Sequence, residues 1–137
     1  DRFEQIAGLV VQVTLALARR GQFFQRRQIH RTEGFDLIAE AGVDVLIGVD
    51  PEAFDLALTR EKLKGKVCLW GGVNGHLTVE HGGAEEVAQE VRTALKELGS
   101  DGFILSPVDN VREDTPLALE NVETLIHTWQ EETGQAG

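Results

Sequence analysis

Hydrophobic positions along this chain follow two rhythms, a three-to-four-residue spacing and short unbroken runs. Phe3, Ile6, Val10, Val13 and Leu17 fall on one helical face. Leu9, Val11 and Leu15 widen that face almost all round, which predicts a helix over 3–19 covered on two sides and ended by Gly21. Residues 23–30 read as a strand ending at His30. A short helix follows over 33–41, carrying Phe35, Leu37, Ile38 and Ala41 and stopped by Gly42. The run Val43-Asp44-Val45-Leu46-Ile47-Gly48-Val49 is rich in β-branched residues and predicts a buried strand. Asp50-Pro51 then reads as N-cap and N1 of a helix reaching about Leu63, before Gly65.

Lys66 to Trp70 predicts the next strand, followed by a loop Gly71-Gly72-Val73-Asn74-Gly75-His76. The stripe Ala84, Val87, Ala88, Val91, Leu95 and Leu98 predicts a helix over 84–98. Glu85 and Glu86 sit in its first turn, Lys96 in its last, and Gly99 beyond its end. Residues 102–106 predict another strand. Thr115-Pro116 opens a last helix with a stripe of Leu119, Val122, Ile126 and Trp129, and residues 134–137 read as a frayed tail. The order is one helix and then four strand–helix units, which predicts an α/β fold with parallel strands. A (β/α)₈ barrel uses ~31 residues per unit. Half of such a barrel and a small doubly wound sheet both suit the 137 residues.

That length is one domain at ~150 residues each. Hydrophobic residues at 42% and charged residues at 26% suit a globular domain and exclude a disordered one. The net charge of −10 argues against nucleic-acid and membrane partners. The charge is uneven: residues 19–31 hold five Arg and no acid, leaving eight cations against 23 acids elsewhere. An anionic small-molecule substrate is therefore expected beside His30 and Arg31. The longest apolar-rich run, 6–18, falls short of the ~20 residues that span a bilayer. Its mixed-sign flank and the Arg19-Arg20 pair that follows do not suit a signal peptide. One cysteine, Cys68, makes no internal disulfide and predicts a small buried hydrophobe in a reducing, cytoplasmic compartment. The chain has no Met and begins with Asp, which suggests an excised or processed piece.

Ligands of parallel α/β folds meet the loops at the C-terminal ends of strands. Those loops hold His30, Glu33, Asp50, Asn74, His76, Asp109, Asn110 and Arg112. His30 and Asp109 are the candidates for catalysis, and Asn74, His76, Asn110 and Arg31 for substrate binding. Gly71 to Gly75 lacks the Gly-Lys-Ser/Thr of a phosphate loop. His76 and His81 are five apart, off one α-helical face, which is no zinc spacing, so no metal site is expected from them. His127 reads as a surface residue of the last helix.

A succession of short motifs carries a resemblance. Lys64 to Val73, Glu85-Glu86-Val87 through Leu95, Gly102-Phe103-Ile104-Leu105-Ser106-Pro107, Asp114-Thr115-Pro116 and Glu120-Asn121-Val122 occur in order. Together with Gly42 to Leu46 they resemble the C-terminal half of the uroporphyrinogen decarboxylase superfamily, over about residues 28–130. The resemblance implies half of a (β/α)₈ TIM barrel and a cofactor-free decarboxylation of a tetrapyrrole or a related carboxylated molecule. It places Asp109 where the decarboxylase branch has a cleft-lining His. In the corrinoid-linked methyltransferase branch, the zinc ligands would fall on His30, Thr32 and Asp109, and only the first keeps its ligand type. The decarboxylase's key Asp and Arg cluster belong to the other half, so this chain alone is not expected to be an active lyase. A zinc- and corrinoid-linked methyltransferase and a non-catalytic, self-associating half-barrel are the alternatives. Partners expected on this basis are a missing N-terminal half-barrel or further copies in a homo-oligomer.

Overall fold

A computed structural model describes residues 32–135. The expected helix 3–19, the strand 23–30, and the candidates His30 and Arg31 lie outside the described residues. Within them the elements are α1 (Thr32–Glu40), β1 (Val45–Val49), α2 (Leu56–Leu63), β2 (Cys68–Asn74), a π-helical turn (Gly75–Glu80), α3 (Ala84–Leu98), β3 (Phe103–Val108) and α4 (Pro116–Thr133). The three strands form one parallel sheet in the order β1-β2-β3. Strands alternate with helices, as the two rhythms predict, and the arrangement is that of a partial (β/α) barrel.

The helices cover one face of the sheet. Leu46 and Phe103 pack with Leu69, Phe35, Leu56, Leu63, Val67 and Leu98 in one cluster. Val73, Val79, Val87, Val91 and Leu125 form a second, with Leu105, Leu95, Val122 and Trp129 against it. The other face of the sheet is open among the described residues. Ile47 pairs with Trp70 and Trp70 with Ile104, so one apolar row crosses all three strands. Their exposures are 69%, 39% and 42%. A doubly wound sheet needs helices on both faces, so this one-sided cover favours the barrel segment. It also corrects the expectation that 43–49 is buried: Val43, Val45 and Ile47 are exposed, and Val49 is the buried end of β1.

Two boundaries and one helix face differ from expectation. Asp50-Pro51 opens a turn, not a helix: the Asp50 carbonyl accepts from Ala53 and Phe54, and its Oδ1 accepts from Glu52 N–H. The helix begins only at Leu56, capped by Asp55, whose Oδ1 accepts from Leu58 N–H at 3.0 Å. Asp-Pro suits the start of a turn as well as a cap, and Phe54 is drawn back onto Phe35, ring centroids 6.2 Å apart. β2 continues through Gly71, Gly72, Val73 and Asn74, where a loop was expected, because each of these pairs with β3. On α4, Thr115 caps the start as predicted, accepting from Ala118 N–H. The buried stripe is rotated to Ala118, Asn121, Leu125 and Thr128, leaving Leu119 and Ile126 exposed. Helix α3 spans 84–98 as predicted, with Ala84 exposed and Ala94 buried in its place. Cys68 is half-buried, and His127 is exposed.

Gly71 is what lets β1 and β2 run so close. Its φ is +146°, and a Cβ there would lie 2.6 Å from the Val49 carbonyl oxygen and 2.8 Å from its nitrogen. Both obstacles are backbone and cannot swing away. Gly71→Ala should destabilise the fold by about 2–4 kcal/mol, read as a fall in the urea unfolding midpoint.

Candidate functional site

The C-terminal ends of the strands deliver three polar segments to one edge of the sheet: Asp50–Asp55 after β1, the π-helical turn after β2, and Asp109–Thr115 after β3. Asn74, the last residue of β2, ties the first two together. Its Nδ2 donates to both carboxylate oxygens of Asp50, at 3.2 and 3.3 Å. Its Oδ1 accepts from Leu77 N–H at 2.6 Å, capping the turn, and its own N–H donates to Glu90 Oε2 at 2.8 Å. Asn74 is buried and fully engaged, so it positions Asp50 and the turn rather than offering a free amide.

Glu90 reaches this knot from α3. Its second oxygen accepts from Thr78 Oγ1 at 2.8 Å. Burial pushes its carboxyl above the ordinary value, and the nearby Glu52 and Asp50 push the same way. The bonds from Asn74 and Thr78 oppose that shift without cancelling it. Glu90 lines an open depression of about 520 Å³ with Glu52, Leu77, Thr78 and Glu86. A half-buried acid with a raised pKa in a concave site is suited to carrying a proton.

Glu80 behaves in the opposite way. It ends the π-helical turn, and its Oε1 accepts the backbone N–H groups of Arg112 and Glu113 from the loop after β3. Its Oε2 is 2.8 Å from His76 Nδ1. The Arg112 bond first, and then the His76 bond, hold its carboxyl down to about 2 despite the cost of desolvation. Asn121 grips the same turn from α4, its Nδ2 donating to the carbonyls of Val79 and Gly82 at 3.0 and 2.8 Å. Gly75 fits beneath the β3 end only without a side chain, since a Cβ would sit 2.4 Å from the Val108 carbonyl oxygen.

Asp109 stands at the end of β3 with φ +63°, the one positive-φ residue other than glycine among those described, and it is exposed. Asn110 is exposed beside it. His76 is exposed on the neighbouring turn, 70% at its side chain. Asp109, Asn110 and His76 therefore share the strand-end edge, whereas His30 and Arg31 lie outside the described residues. Glu80 and Glu90 escaped sequence reasoning, while the five-residue spacing argued against pairing His81 with His76. An acidic residue within a helix or turn gives no local sign of burial, and only the partners named above single these out.

The geometry defines a class: a parallel strand–helix scaffold with its reactive side chains at the C-terminal strand ends. No helix among the described residues is long and apolar enough to cross a membrane. The sequence profile of the family described as Uroporphyrinogen decarboxylase (URO-D) matches residues 23–132, and the chain belongs to that family. No curated protein and no solved structure matches the chain.

The two acids predict opposite pH effects on stability. Glu80, with its pKa lowered from 4.5 to about 2, stabilises the fold above about pH 4.5, and that contribution is lost as pH falls toward 2. Glu90, with a raised pKa, costs stability while ionised, and the cost is relieved as pH falls through that raised value. Urea midpoints taken from about pH 8 to about pH 3 should therefore show Glu90→Gln losing ground to the parent as pH is lowered. Glu80→Gln should instead fall furthest behind at neutral pH and converge with the parent in acid.

Proposed function

We propose that this chain supplies the C-terminal half of a uroporphyrinogen decarboxylase-like lyase acting on a tetrapyrrole or another carboxylated small molecule. The family match over residues 23–132 carries this reading. In such a reaction the bond from carbon to carboxylate breaks, CO₂ leaves, the electron pair stays on the substrate carbon, and a proton arrives there. Asp109, exposed at the β3 end, is the group that would deliver the proton or accept a hydrogen bond from a substrate nitrogen. Asn74 would act by holding Asp50 in place, and His76 and Asn110 would border the substrate. The Arg-rich stretch at 19–31 is the part of the sequence whose charge suits the substrate's carboxylates. The unpaired Cys68 supports a reducing, cytoplasmic setting.

The open apolar row of Ile47, Trp70 and Ile104 supports a second element of the proposal, association with a second copy of the chain. β1 and β3 are the edges of the described sheet, and a barrel family removes edges by closure. Light scattering should give a mass above that of one chain, and Ile47→Lys should return it to the monomer. A monomer at high concentration would end the association reading.

Activity should be sought in the chain combined with an N-terminal half-barrel, supplied with uroporphyrinogen under reducing conditions and followed by carboxylate loss in the product's mass. Asp109→Asn should lower kcat by about 100-fold with the fold intact by circular dichroism. Unchanged turnover in that variant would remove Asp109 from the mechanism.

A further inference from the structure

His76 and His81 are brought together by the way the chain winds after β2. In an α-helix, residues five apart lie well off a common face. A π-helix closes i→i+5 bonds, and the turn Gly75–Glu80 is wound this way, so His76 within it and His81 at its C-cap stack one turn apart. The two imidazole rings meet edge to face, with centroids 4.7 Å apart and planes at 71°. One ligand atom from each of His76, Glu80 and His81 lies within 4.8 Å of the others.

The hydrogen bonds assign the protons on both rings. His81 Nδ1 lies 2.8 Å from the His76 carbonyl oxygen, which only accepts, so His81 Nδ1 carries a proton. His76 Nδ1 lies 2.8 Å from Glu80 Oε2. The other oxygen of Glu80 accepts two backbone N–H groups, so the carboxylate meets His76 as an acceptor too. In its neutral form each ring therefore keeps Nδ1–H engaged and presents Nε2 with a bare lone pair. This is the pattern of metal-binding histidines, each oriented through its second nitrogen by a carboxylate or a carbonyl.

We propose that His76 and His81 form a binding site for a divalent transition-metal cation such as Zn²⁺ through their Nε2 atoms. The buried Glu80, 4% exposed at its side chain, orients His76 as an outer partner. Two ligands from the protein leave the remaining positions of a tetrahedral ion to water or to an incoming oxygen or nitrogen donor. The site stands on the exposed side of the turn, at the strand-end edge, so such a donor has access. Imidazole nitrogen favours Zn²⁺, Cu²⁺ or Ni²⁺ over Mg²⁺ or Ca²⁺, which prefer oxygen. The inference is independent of the proposed lyase activity, since it concerns binding alone.

Isothermal titration of the full chain with Zn²⁺ tests it. One Zn²⁺ per chain should bind, and excess Mg²⁺ should not displace it. His76→Ala and His81→Ala should each abolish this binding, while His127→Ala, on the exposed side of α4, should leave it unchanged. Glu80→Gln should weaken it about 10–100-fold, because a glutamine amide turned toward His76 donates, forces the ring proton onto Nε2 and removes the lone pair. Long-range ¹H–¹⁵N spectra of the histidine rings should show the Nε2 signals of His76 and His81 moving on addition of Zn²⁺. Circular dichroism confirms that each variant is folded, and ring spectra of the parent chain need no variant at all. Absence of stoichiometric binding would overturn the proposal. So would binding that survives the double replacement of His76 and His81, or displacement by Mg²⁺, which would point to the neighbouring carboxylates.

Discussion

The turn that leaves β2 governs the polar edge of this protein, and Glu80 is its anchor. A buried carboxylate is costly unless it is hydrogen-bonded. Glu80 meets that condition by taking two backbone N–H groups from the loop after β3 with one oxygen and the His76 ring with the other. The bonds join β2's turn to β3's loop, so the two segments cannot shift independently. Asn121 adds a third support by holding the Val79 and Gly82 carbonyls from α4. Those two acceptors would otherwise be buried at the end of an irregular turn, where no ladder serves them.

The same economy explains Asn74. One side chain and one backbone N–H reach Asp50, Leu77 and Glu90, which come from three different elements. The cluster gathers Asp50, Glu52 and Glu90 at close quarters, and the resulting repulsion is part of what raises the Glu90 pKa. Glu80 ends the turn and Glu90 meets it from α3, and their environments drive their pKa values in opposite directions. Glu80 is saturated with donors, whereas Glu90 is half-desolvated among like charges. Pairs separated in this way are what acid–base chemistry requires.

The overall scaffold was legible because it rests on local rules. The α3 boundaries follow from its acidic first turn, its stripe and Gly99, and α4 starts at Thr115-Pro116 because that pair caps a helix in most contexts. Errors arose where one local signal fits two structures. Asp50-Pro51 suits a turn as well as a helix start, and Asp55 five residues on was an equally good cap. Gly71 and Gly72 look like a loop until β3 pairs alongside them. The α4 stripe is rotated because Asn121, a polar residue, is drawn inward by carbonyls that belong to a distant segment.

The sequence alone determined the alternation of strands and helices, the acidic balance, the family resemblance and the placement of Asp109, Asn110 and His76 at strand ends. Each of these follows from residue type and spacing within about one turn or strand. Tertiary structure decided which acids are buried, which face of the sheet stays open among the described residues, and that His76 and His81 touch. Those outcomes depend on hydrogen bonds spanning up to 42 residues, such as Asn121 to Val79. They depend also on a winding of the chain that relaxes the α-helical period, and neither leaves a mark on local spacing.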